Sequence, residues 1–150
     1  MNNGNFKAEV TLKNQKVKFE GISENNPNRV VEFDYLKPIG DEEGFRGLEL
    51  MLVTFGGCVS TTMVFLLRKM GKIIETFKLR LEGEKQENPV SLKKITFEAG
   101  IGADNITTNE IQEMLKMTEK LSPVWNMVKG NVEVIGNASI LSNEECLKHV

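Results

Sequence analysis

Eighteen consecutive residues, Leu50 to Leu67, carry no charge. A run of that length reaches the threshold for a membrane-spanning helix. Against a span, it contains Thr54, Gly56, Gly57, Ser60, Thr61 and Thr62, and the flanking segments read as strands that need a core. The run is therefore expected to form a buried central helix, with no membrane partner. Its predicted extent is Leu48 to Met70, with Arg68 and Lys69 at the negative end of the helix dipole and Gly71 as the C′ residue. Apolar on most of its circumference, it should form the core of the protein or of a dimer. The Gly56-x-x-x-Ser60 spacing would let another backbone approach closely.

The segments around this helix set the fold class. Residues 7–13 and 16–22 alternate in polarity, which predicts a β-hairpin turning at Asn14-Gln15. Residues 23–28 form a loop, 29–35 a third strand through Val31, Phe33 and Tyr35, and 37–47 a second loop. After the helix, Phe77, Leu79 and Leu81 mark a strand. Gly83 to Pro89 should turn, and Ile95, Phe97, Ala99 and Ile101 mark the next strand. Thr107 to Glu110 fits a capping box opening a helix to about Leu121. Ser122-Pro123 reads as an N-cap followed by Pro at N1, opening a short helix that ends at Gly130. Val132 to Ile140 is a final strand, and 141–150 a polar tail. Strands and helices do not alternate regularly, so the class is α+β. One domain is expected over 1–150, with its core at about 6–140.

Composition narrows the function. Nineteen Lys and Arg against 21 Asp and Glu leave a net charge of −2, and one Trp and one Tyr offer little for base stacking. No nucleic-acid partner is expected. Two cysteines, Cys58 and Cys146, make no disulfide framework, which fits a reducing cytoplasm. The first seven residues have no apolar stretch of a signal peptide. His149 is the only histidine, so no histidine-based metal site and no cofactor is expected. Met51, Met63, Met114 and Met127 are read as gap-fillers in the core.

Cys58 stands out within the apolar run. It follows Gly56-Gly57, which removes side-chain bulk beside the sulfur. A lone buried cysteine ordinarily acts as a small hydrophobe. As a nucleophile it would need nearby cations or amide donors to favour the thiolate. Glu49 opens the segment, nine residues earlier. On one straight helix nine residues turn about 900° and rise about 13 Å, so the two side chains cannot meet. Either the helix starts after Leu50, or Glu49 serves a partner subunit; its plainer role is a carboxylate at the positive helix end. Arg46, three residues before Glu49, could pair with it or polarise a substrate, or be a solvated loop charge. Lys13 and Lys16 are read mainly as solvent-facing hairpin charges, Ser122 mainly as an N-cap, and Cys146 as a surface thiol in the tail.

The segment Arg46-Gly47-Leu48-Glu49-Leu50-Met51-Leu52-Val53-Thr54-Phe55-Gly56-Gly57-Cys58 resembles the P-x-E-L-L-L-A-A-x-G-G-C signature of the OsmC/Ohr superfamily. Glu119-Lys120-Leu121-Ser122-Pro123-Val124 is similar to that family's second motif, E-K-x-C-P-V. The order of elements agrees over about 6–140. The resemblance implies an OsmC-like fold with antiparallel sheets packed around a long buried central helix, and an intertwined homodimer with its active sites at the interface. It also implies reduction of organic hydroperoxides by a thiolate, with Cys58 as the peroxidatic cysteine and Glu49 as the motif carboxylate. Two departures follow. The resolving position is Ser122 instead of cysteine, and the N-terminal hairpin carries Lys13 and Lys16 where the hydroperoxide-resistance enzymes have an arginine.

The expectation is an OsmC-like peroxidase with one catalytic cysteine. Cys58 would be restored by an external small thiol or dithiol reductant, with Ser122 and Arg46 in support. An apolar lining from Leu52, Phe55, Met63 and Trp125 would favour alkyl peroxides. The alternative is a non-catalytic dimer that binds a small apolar ligand; a purely structural thiol is a weaker third reading.

Overall fold

The computed structural model describes residues 4–142 and Glu145. Its contacts divide the chain into two compact units, Met1–Leu50 and Met51–Val150.

The first unit holds an antiparallel three-stranded sheet in the order β1 (Ala8–Leu12), β2 (Phe19–Ser23), β3 (Asn26–Phe33). The expected hairpin is there, but its turn is wider than Asn14-Gln15. Lys13 N–H donates to Lys18 O at 2.8 Å, and the Asn14 side-chain oxygen accepts from the amides of Lys16 (2.9 Å) and Lys18 (3.1 Å). An Asx-type side chain has thus replaced a two-residue turn. The predicted loop at 23–28 shrinks to Glu24-Asn25, because Ser23 pairs with Asn26. A long loop then runs from Asp34 to Arg46, closed where Phe45 bridges Phe33. Among the described residues, no fully buried apolar side chain comes from this unit, and Val10, Leu12, Val30 and Phe45 stand exposed.

Helix α1 spans Gly47–Lys69, within a residue of its predicted extent at each end. It stops as expected. Gly71 adopts φ +79, and the amides of Gly71 and Lys72 donate to Arg68 O and Leu67 O at 3.0 Å, satisfying end carbonyls.

In the second unit, β4 (Ile74–Glu87), β5 (Val90–Ala103) and β6 (Glu133–Ile140) form one sheet in that order. The predicted turn from Gly83 to Pro89 is instead continuous strand as far as Glu87. Gly83 sits opposite Ile95, and its missing side chain makes room for Leu92, so here glycine marks close packing instead of a turn. The sheet is also mixed, correcting the expectation of antiparallel sheets: β5 and β6 are parallel. The reason is the connection. Helices α2 (Thr108–Leu121) and α3 (Pro123–Val128) lie between β5 and β6, and they supply the long crossover that a parallel pair requires. Thr107 and Glu110 complete the expected capping box.

One side of α1 buries Phe55, Gly56, Val59, Met63, Leu66 and Leu67. Gly56 meets a side chain, Leu81 of β4, and not the second backbone that its spacing suggested. The opposite side is open, with Val53 and Phe65 58% and 62% exposed, so the helix is only half buried within one chain. Phe55 of α1, Phe97 of β5 and Trp125 of α3 form a closed aromatic triangle, with ring centroids 5.4–6.2 Å apart. These three rings join three elements distant in sequence. Replacing Phe97 by Ala is expected to cost about 3–5 kcal/mol, read as a fall in the midpoint of guanidinium unfolding at fixed protein concentration.

Candidate functional site

Cys58 lies on α1 one turn beyond Phe55, on the same side. Ser122 lies one turn before Trp125, at the junction of α2 and α3. Because Phe55 and Trp125 are packed at 5.9 Å, the neighbouring pair is brought together as well: Cys58 Sγ and Ser122 Oγ are 3.4 Å apart. Cys58 is half-buried and Ser122 fully buried.

The Ser122 hydroxyl does not do what a Ser-Pro N-cap suggests. Its side chain makes no capping bond to α3. The α3 start is held by other groups: Asn126 N–H donates to Ser122 O at 3.0 Å, and Asn126 Nδ2 donates to Lys120 O and Ser122 O at 2.9 and 3.1 Å. The Ser122 amide in turn donates to Thr118 O at 2.9 Å. With the backbone fixed on both sides, the hydroxyl is free to face the sulfur. A buried hydroxyl requires a partner, and Cys58 supplies it. The carbonyls around the cysteine are engaged too, since Thr61 and Thr62 donate back to Gly57 O and Cys58 O at 2.8 and 3.0 Å. Gly57, beside the cysteine, is exposed, and beyond its own stretch of helix nothing lies within 4 Å of where its Cβ would be.

Glu49 and Arg46 form a second pair, in the first unit. Helix α1 starts at Gly47, before Glu49, so the option that the helix begins after Leu50 does not hold. Glu49 sits in the first turn. The Arg46 guanidinium donates to one of its oxygens, and the Arg46 amide donates to the other at 3.1 Å. These bonds hold the Glu49 carboxyl below the usual carboxylate range, and the carboxylate in turn raises the Arg46 guanidinium. The pair is therefore ionised at neutral pH. Both side chains are roughly half exposed.

Other candidates are committed elsewhere. Lys13 pairs with Glu20 at 3.0 Å, and Lys16 pairs with Asp41. Phe55 and Met63 are completely buried and Trp125 nearly so, so within one chain they belong to the core, while Leu52 is half-buried. Cys146 and His149 lie outside the described residues. Sequence reasoning passes over Asp34, which alternation places inside a strand. The spacing Asp34-x₃-Pro38-x-Gly40-x₃-Gly44 is the signal for a carboxylate organising a loop.

The family model for OsmC-like protein matches residues 40–135. This chain belongs to the OsmC-like family. Solved structures share its fold at low identity. An OsmC-like protein from Mycoplasma pneumoniae is 19% identical with a TM-score of 0.78, covering 93% of this chain and 99% of that one. An organic hydroperoxide resistance protein OsmC from Legionella pneumophila is 13% identical with a TM-score of 0.72, covering 93% and 99%. An organic hydroperoxide resistance protein from Elizabethkingia anophelis is 17% identical with a TM-score of 0.67, covering 94% and 100%. No curated protein sequence matches the chain.

The Cys58–Ser122 geometry makes a direct prediction. With sulfur in place of the hydroxyl, small side-chain rotations bring the two atoms to the disulfide distance of about 2.05 Å. In Ser122→Cys, the introduced thiol is expected to form a disulfide with Cys58 of the same chain after mild oxidation. It would be read as the loss of two hydrogens by mass and loss of both thiols to alkylation. If both thiols stay alkylatable after oxidation, the placement of Ser122 against Cys58 is wrong.

Proposed function

We propose that this protein is a thiol-dependent peroxidase that reduces organic hydroperoxides with Cys58 as its only redox cysteine. The observation that carries this is the half-buried sulfur 3.4 Å from a buried hydroxyl on the family's motif position. Family membership supports it, as do the names of the Legionella and Elizabethkingia relatives.

The Cys58 thiolate attacks the distal oxygen of R–O–O–H. A sulfur–oxygen bond forms, the O–O bond breaks, and the pair of electrons leaves on the alkoxide, which takes a proton to become R–OH. Cys58 is left as a sulfenic acid. In a two-cysteine cycle the neighbouring thiol would then displace water. Ser122 has no such chemistry, so its hydroxyl donates to the thiolate before the reaction and to the sulfenic oxygen after it. An external thiol condenses with the sulfenic acid, releasing water and leaving a mixed disulfide. A second thiol attacks that disulfide and restores Cys58. The dependence on external thiols fits a reducing compartment such as the cytoplasm.

The working form is a homodimer on this reading. Val53, Gly57, Thr61 and Phe65 recur every fourth residue along the open side of α1, and among the described residues the first unit's sheet has apolar side chains but no buried apolar core. A second copy covers both surfaces. It also lets Arg46 and Glu49 of one chain serve Cys58 of the other, where the guanidinium polarises the peroxide and stabilises the departing alkoxide.

The test is intact mass after mixing reduced protein with one equivalent of cumene hydroperoxide, beside Cys58→Ser. The expected result is a gain of one oxygen within seconds in the wild type and none in the variant. An unchanged wild-type mass over minutes would overturn the proposal.

A further inference from the structure

Asp34 is the buried carboxylate among the described residues, 4% exposed, and no step of peroxide reduction touches it. A charge taken from water needs compensating donors. Asp34 finds three, all backbone amides of the loop that follows it. Oδ1 accepts from Tyr35 N–H at 2.8 Å. Oδ2 accepts from Asp41 N–H at 3.0 Å and Glu43 N–H at 3.1 Å. Burial alone would raise this carboxyl, but the three amides outweigh it and hold it below its ordinary value.

The loop is bent to serve this carboxylate. Glu42, between the two Oδ2 donors, has φ 65. A left-handed conformation at a non-glycine residue costs on the order of 1–2 kcal/mol and persists only where the surroundings over-determine it. Turning residue 42 over lets the amides at 41 and 43 converge on one anion, as in a backbone nest. Gly40 completes the cradle, since a Cβ there would run into Asp34 Oδ1 and the Tyr35 backbone. From outside, Lys16 pairs with the Asp41 carboxylate and Lys18 with that of Glu43 at 2.8 Å.

The far end of the loop is tied at the same point. Asp34 N–H donates to Phe45 O at 3.1 Å, and Phe45 N–H donates to Glu32 O at 2.9 Å. Arg46 is the next residue, and its amide and guanidinium both bind Glu49. A single buried carboxylate therefore shapes the loop whose last residue aims the site's arginine.

We propose that Asp34 is a positioning residue: by fixing the 35–45 loop it sets the place of the Arg46 guanidinium and the Glu49 carboxylate. The inference rests on the assignment of Arg46 to peroxide reduction. It adds a determinant that lies outside both sequence motifs and touches no reacting atom.

The experiment measures the rate of Cys58 sulfenic acid formation with cumene hydroperoxide in full-length wild type, Asp34→Asn, Arg46→Gln and the double variant, with thermal unfolding alongside. Asp34→Asn keeps the shape but loses the charge that gathers the amides. It is expected to slow oxidation by up to about a hundredfold, the scale of a 1 Å misplacement. In the Arg46→Gln background it is expected to add nothing, which a merely destabilising change would not show. Gly40→Ala, which displaces the carboxylate without altering it, is expected to behave the same way and stands in if Asp34→Asn does not fold. Wild-type rates in Arg46→Gln would remove the underlying assignment and the proposal with it. A slow Arg46→Gln beside wild-type rates in Asp34→Asn or Gly40→Ala would overturn the positioning role alone. So would a double variant slower than Arg46→Gln by the full Asp34→Asn factor.

Discussion

The contact between Phe55 and Trp125 governs the placement of the candidate site. Each ring lies one helical turn from a site residue, Phe55 from Cys58 and Trp125 from Ser122. Closing the aromatic triangle at 5.4–6.2 Å therefore closes the sulfur–hydroxyl contact beside it. Side chains in adjacent turns share a helix face, so the hydrophobic core and the polar contact form successive layers of one junction. Sixty-four residues of chain separate Cys58 from Ser122, and no local preference could bring them together. Burial of three large rings does it, with Phe97 as the wedge from β5.

On the proposed reading, the side chain at position 122 decides how an oxidised Cys58 is restored. A cysteine at this place would convert an oxidised Cys58 into a disulfide. A serine meets the same sulfur with a hydrogen bond. On the proposed reading the oxidised protein waits for an external thiol, and the reductant becomes part of the specificity. The buried hydroxyl is kept because it is satisfied, and the α3 N-terminus does without its cap because Asn126 holds the junction.

Much of this was legible in the sequence where the signal was local. The capping box at Thr107, the Gly71 stop and the extent of α1 follow from side-chain chemistry within a turn. What escaped was set by distant partners. Gly83 looks like a turn until Leu92 is seen filling its place. The direction of β6 depends on the crossover as a whole, which alternation along one strand does not encode. Ser122 reads locally as a cap because its sequence neighbour is Pro123; its place against Cys58 came only through the resemblance to the family's second motif. Asp34 sits at the end of an alternating strand, and its role emerges only when the amides of residues 35, 41 and 43 converge. The open side of α1 is the remaining lesson: an apolar circumference predicts burial, but one chain covers only half of it.

The most direct test of the account is the stopped-flow rate of Cys58 oxidation by cumene hydroperoxide, set against free cysteine at the same pH. On the proposed reading, in which the Ser122 hydroxyl and the Arg46 guanidinium of a second copy assist the reaction, the rate is expected to exceed that of the free thiol by at least about a hundredfold, the lower end of what positioned proton donors contribute. A rate equal to that of free cysteine would contradict it, and would leave Cys58 as a packing residue beside the aromatic core.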